Sequence, residues 1–163
     1  MNTIVKIIAI GIGATITMDL YTQFLKVFQI KSLDYRFVGR WIAYFPKGKF
    51  THQKIMDSPP QPNELLLGWV AHYFIGISFA FLLILVTGKE WLTKPTLLPA
   101  LIIGILTTVA PFFLMQPAFG FGIAASKLPD PNMTRMKSII THSVYGLGLY
   151  GSAILIHALT SKF

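Results

Sequence analysis

The chain has 163 residues, 53% of them hydrophobic and only 12% charged, with a formal net charge of +8. A soluble domain is about one-quarter charged, so this balance points to a membrane protein. Cysteine is absent, which excludes disulfides, thiolate metal sites and a cysteine nucleophile. The basic residues flank apolar runs instead of forming one dense tract, so a membrane surface rich in anionic phospholipids explains them better than nucleic acid.

Crossing the hydrocarbon as a helix takes about 20 apolar residues. Four runs meet that length, at about 4–28, 65–87, 97–119 and 138–159. They are continuous rather than alternating, so helices are expected and a β-barrel is not. The expected fold is an all-α integral membrane protein of one domain, a bundle of four transmembrane helices. The first run carries Lys6 but ends in "TITMDLY" without a small-x-small cleavage pattern, so it is read as an uncleaved span.

The first connection, about 31–63, is the largest polar piece. Within it "SLDYRFVGRWIAYF" has a helical rhythm. Phe37, Trp41, Tyr44 and Phe45 fall near one face, and Arg36 and Arg40 lie one turn apart. This suits a short interfacial helix with its arginines near anionic head groups, or an ordinary loop with aromatic anchors. The prolines of "DSPPQPN" stop any helix there. "TGKEWLTKPT" reads as a short hairpin with Trp91 as an interfacial anchor. The second inner connection, about 120–137, contains "GFGIAASKLPDPN", and Asn132 is a candidate cap for the last helix.

Four spans put both termini on one side, with Lys6, Lys89, Lys94 and Lys162. The two inner connections and flanks hold the other ten of the 14 basic residues. By the positive-inside rule that richer side is cytoplasmic, so the expectation is a multi-pass inner (cytoplasmic) membrane protein with both termini outside.

Residues four apart share a helix face. Glu64, Gly68, His72, Gly76 and Ala80 form one such row. Gly11, Thr15, Asp19 and Gln23 form another. Small residues let helices approach closely in lipid, so both rows should face protein. The third run carries Thr108, Pro111, Met115, Gln116 and Pro117, and the fourth carries Ser138, His142, Tyr145 and Gly146. At 1.5 Å per residue, His72 lies about 12 Å beyond Glu64, and Asp19 about 10 Å before Lys26. The unusual polar groups thus gather toward the inner half of the membrane.

An ionisable side chain inside a span is a functional candidate by default. Asp19, Glu64, His72, Gln116 and His142 are therefore candidate ligand-binding residues for a small molecule, a lipid head group or an ion. The bland alternatives are interhelical hydrogen bonds for the histidines and a dipole-stabilised first-turn carboxylate for Glu64. His72 and His142 are also candidates for ligating a metal or haem iron, although no HExxH, paired ExxH or CxxCH pattern accompanies them. "GFGIAA" lacks the strand and βαβ context of a dinucleotide fingerprint, and no P-loop or G-x-S-x-G is present. Besides binding, the open classes are a membrane enzyme with a histidine base, a small transporter subunit acting as a homodimer and an assembly protein. No cofactor and no substrate follow from these residues.

"GATITMDLY", "GRW", "NELLLGWVAHYFIG", "MQPAFGFGIAASKLPDPN" and "THSVYGLGLYG" together resemble a bacterial membrane family described as domain of unknown function 2938. The resemblance spans nearly the whole chain. It rests on Ala14, Thr15, Met18 and Asp19; on Gly68, Trp69, His72 and Tyr73; on Met115, Gln116, Pro117, Gly120, Gly122 and Ala124; and on His142 and Gly146. Tyr21 stands where the family pattern has Trp, an aromatic exchange of small consequence. The resemblance implies a bacterial inner-membrane protein and no particular activity.

Overall fold

The computed structural model describes residues 2–30 and 32–161. Lys31 and Lys162, two of the residues counted for orientation, lie outside the described residues. Among the described residues the chain is helical and has no strand. Four helical stretches are long and apolar enough to cross a membrane: Thr3–Val27, Glu64–Thr87, Leu97–Ala118 and Pro131–Thr160.

Helix α1, Thr3–Val27, starts where the Asn2 side chain accepts a hydrogen bond from the Ile4 amide at 3.0 Å. It ends in a left-handed turn at Gln29, and the Ile30 amide reaches back to the Leu25 carbonyl. The Phe28 amide donates to the same carbonyl, so two bonds close the last turn. Helix α2, Tyr35–Ala43, is capped by Asp34, whose carboxylate accepts from the Arg36 amide. Helix α3, Glu64–Thr87, begins just after the prolines and ends at Gly88. The third span is broken in composition. Helix α4, Leu97–Leu106, gives way to a π-helical turn at Pro111–Met115 and then to the short α5, Gln116–Ala118. Pro111 has no amide hydrogen to donate, which loosens the ladder at this point. Helix α6 covers Pro131–Thr160. It begins about seven residues earlier than the apolar run suggested. Its first two turns are polar, and Pro131 is suited to an opening helical position. Asn132 consequently lies inside the first turn and is not the cap.

The chain divides into two compact units. One takes the residues up to Ile30, Tyr73–Thr107 and those from Ile140 onward. Ile10 and Ala14 from α1, Leu83 from α3, Ile103 from α4, and Tyr145 and Leu149 from α6 pack as its core. Its helices touch through small residues. A Cβ at Gly104 would stand 2.6 Å from the Gly146 Cα, and one at Gly148 would stand 2.8 Å from the Ala14 Cα. Such backbone proximity is how helices adhere where lipid removes the hydrophobic drive between them. Trp91, expected at the interface, is 5% exposed and belongs to this core; its indole N–H donates to the Thr96 carbonyl at 3.2 Å. The hairpin folds the ring inward, and the backbone acceptor satisfies its one polar atom.

The second unit holds the first connection, the start of α3 and Thr108–Ile139. Its small core is Val38, Ile55, Ala118 and Phe119, flanked by Trp41, Ile42 and Met115. Outward-facing apolar side chains such as Leu20, Phe74, Leu85 and Leu98 are more than half exposed. An apolar surface of that kind suits lipid and not water.

Candidate functional site

Each candidate residue can now be placed by its neighbours. Glu64, at the start of α3, receives Arg40 Nε on Oε2 at 2.8 Å and Arg40 Nη2 on Oε1 at 2.9 Å. The Gln61 amide also donates to Oε2 at 2.9 Å. Both oxygens are thus engaged by structure. Arg40 is 7% exposed, and its Nη1 donates to the Ser58 carbonyl at 2.9 Å and the Ile55 carbonyl at 3.2 Å. The expectation that Arg40 faces head groups is corrected: the carboxylate and the carbonyls of the proline-rich segment draw it inward. Arg36 remains on the surface, paired with Asp34.

His72 stacks on Tyr35 with ring centroids 4.2 Å apart, and the Tyr35 hydroxyl lies 3.0 Å from His72 Nε2. Trp69 meets the same tyrosine edge-on. Gln116 follows the π-turn, its amide donating to the Pro111 carbonyl. Gln116 Oε1 is buried and finds no hydrogen-bond partner among the described residues.

In the other unit, the Tyr73 hydroxyl donates to Asp19 Oδ2 at 3.0 Å. Thr107 Oγ1 donates its single proton to the Gly104 carbonyl at 2.6 Å. The 2.7 Å contact between that oxygen and His142 Nδ1 must then be donated by the imidazole. In the neutral ring this leaves the lone pair on Nε2, the atom a metal or an acceptor role would use. Among the described residues no group of three or more His, Asp or Glu side chains could hold a metal ion.

A cleft of about 1220 Å³ opens in the second unit, and none of the five candidates lines it. Its walls are the segment 49–59 and the turn 117–127. The two are joined by backbone: the His52 amide donates to the Ala118 carbonyl at 2.8 Å, and the Ile55 amide to the Phe119 carbonyl at 3.0 Å. Gly120 makes this approach possible, because any Cβ there would collide with the Gln53 carbonyl. The turn is strained as well as close. Ala124 and Ala125 have φ of 47° and 62°, the left-handed region that costs a non-glycine residue about 1–3 kcal/mol.

Lys49, Lys54, Lys127, Thr51 and Ser126 line this cleft together with His52. His52 is 5% exposed; Nδ1 lies 2.7 Å from Ser58 Oγ, and Nε2 has no partner among the described residues. Burial, and then the charges of Lys49 and Arg40, hold the imidazole below the ordinary histidine pKa. Sequence reasoning missed His52 because it sits in no periodic run. The available signal was its place in the basic tract from Lys47 to Lys54.

The sequence profile of a family described as a protein of unknown function, DUF2938, matches residues 8–156. The chain belongs to that family. No curated protein and no solved structure matches it.

Proposed function

We propose that the chain is an integral membrane protein that binds a small polar ligand in the cleft between segments 49–59 and 117–127. The observation that carries this reading is the cleft itself, whose two walls are pinned by backbone bonds and by a strained turn. Strain of that kind persists at ligand clamps, where the surrounding structure holds it. The loops involved carry most of the basic residues, so the positive-inside rule assigns the cleft to the cytoplasmic side of the inner membrane of a bacterium. Native mass spectrometry of gently purified protein should find a small molecule retained. Ser126→Trp, at an exposed site on the wall, should fill the cleft and release it. A ligand retained equally by the variant would place the site elsewhere. Because the chain has no cysteine, Lys54→Cys and Lys94→Cys provide an orientation test: an impermeant maleimide should label only the second in intact cells.

A second reading places function within the spans, as transport or proton-coupled chemistry. The bond between Tyr73 and Asp19 favours it, since a carboxylate in a span is expensive unless it is used or paired. His142, hydrogen-bonded to Thr107, supplies a second polar side chain within the spans. Counterflow in proteoliposomes that disappears in Asp19→Asn would support this reading over static binding. Glu64 is assigned a structural role in both.

A further inference from the structure

We propose that the cleft is built for a phosphate group, carried either by a small solute or by a phospholipid head group. This rests on reading the cleft as a ligand site and adds the ligand's chemistry. The lining holds three lysines, Lys49, Lys54 and Lys127, against one carboxylate, Asp57. With His52 neutral, three positive charges less one negative leave +2. Lys54 and Asp57 do pair, but at 3.7 Å and with side chains 56% and 70% exposed. A pair so open to water holds its partners loosely.

The lysines come from both walls, so an anion between them would be gripped from two sides. Lys49 is steadied over the Tyr44 ring, its Nζ 5.2 Å from the centroid. Gly122 positions the opposite wall. A Cβ there would collide with Ser126 Oγ and come within 2.9 Å of Lys127 Cγ, so glycine lets both residues pack against the turn. Thr51 and Ser126 add hydroxyl donors at the lining. Lysine ammonium groups and hydroxyls are the donors that bind a phosphate oxygen as a point charge. A carboxylate ligand would need fewer charges, and a cation would be repelled. The volume exceeds that of inorganic phosphate alone and leaves room for an attached organic moiety, lying just above the range of about 300–1,000 Å³ usual for small-molecule sites.

The test uses full-length protein in nanodiscs of neutral phosphatidylcholine, titrated with inorganic phosphate by calorimetry. Thermal unfolding is followed in parallel with neutral, cationic and anionic solutes. Phosphate should bind, more weakly as salt rises. Lys49→Ala and Lys127→Ala should each weaken it about tenfold, the loss of one charge-assisted hydrogen bond. Both lysines are exposed, so neither change disturbs a core, and Lys127→Arg should retain most of the affinity. Nanodiscs containing phosphatidic acid separate the sources: competition with added phosphate indicates a head group, and its absence a solute. Phosphate affinity unchanged in both alanine variants overturns the proposal. So does stabilisation by a neutral solute alone, if Ser126→Trp abolishes it; the cleft then survives as a ligand site with different chemistry. If no solute binds and Ser126→Trp changes nothing, both readings fall together.

Discussion

Arg40 and Glu64, 24 residues apart in sequence, meet as a two-pronged ion pair with N–O distances of 2.8 and 2.9 Å. Their side chains are only 9% and 11% exposed. The third guanidinium nitrogen holds the carbonyls of Ile55 and Ser58, so one residue ties α2, the proline-rich segment and the first turn of α3. Removing one partner of such a pair leaves the other charge stranded, a loss of about 3–5 kcal/mol. Glu64→Gln should therefore lower unfolding stability by an amount in that range. The double replacement Arg40→Met with Glu64→Leu should recover much of it, because no charge remains buried. Denaturant unfolding in detergent measures both; a double variant no better than the worse single one would contradict the stranded-charge account.

The crossing of α2 and α3 depends on two glycines. A Cβ at Gly39 would collide with the Glu64 carbonyl, and one at Gly68 with the Tyr35 carbonyl. Neither obstacle is a flexible side chain, so the helices must move apart. Gly39→Ala should destabilise by about 1–3 kcal/mol or more, the usual range for overpacking. It should also loosen the Tyr35 and His72 stack, which tyrosine fluorescence can follow. Gly151, where a Cβ would meet nothing, is the control, and Gly151→Ala should be close to neutral.

Such contacts show what the sequence made legible. The α3 row of Glu64, Gly68, His72, Gly76 and Ala80 was readable from a spacing of four. Each member does face protein: Arg40, Tyr35 and Gly39, Tyr35, Thr15, and Gly11 respectively. Periodicity reports which face is buried because the helix repeat is fixed. It does not report who the partner is, so Arg40 was read as a surface cation. It is silent for irregular backbone, so the cleft around His52 and the left-handed alanines went unseen. Trp91 was misplaced for the same reason, since the direction of a hairpin ring depends on a turn no repeat describes. The polar start of α6 was hidden because apolar content marks what lipid covers, whereas the helix continues beyond it.

The Thr107 relay in the second half of the chain gives a cleaner hydrogen-bond test. The hydroxyl donates to Gly104 and accepts from His142. Thr107→Val keeps the shape and removes the hydroxyl from both contacts. A loss of about 0.5–1.5 kcal/mol is expected, the net worth of one hydrogen bond. Thr107→Ser should restore the bond and most of the stability. By comparison Tyr73→Phe, which removes one hydrogen bond to Asp19, should lose only about 0.6 kcal/mol, the mean for interhelical bonds in membranes. Equal losses for Thr107→Val and Thr107→Ser would show that packing, not the hydrogen bond, matters at this position.

His52 makes stability depend on pH in a definite direction. Burial and the nearby charges of Lys49 and Arg40 lower its pKa in the folded chain, while the unfolded chain keeps the ordinary value of about 6.5. Above that value both states are neutral and the contribution to stability is fully present. As pH falls below it, the unfolded state takes up a proton that the folded state still refuses. Stability therefore declines until the lowered folded pKa is reached, and levels off beyond it. His52→Gln can keep a hydrogen bond near Ser58 without titrating. Melting temperatures measured between about pH 7.5 and 5 should fall less steeply in this variant than in the parent. The difference isolates His52, because every other histidine is the same in both proteins. Parallel curves for the two would mean that the site admits a proton freely, and the burial assigned to His52 would be wrong.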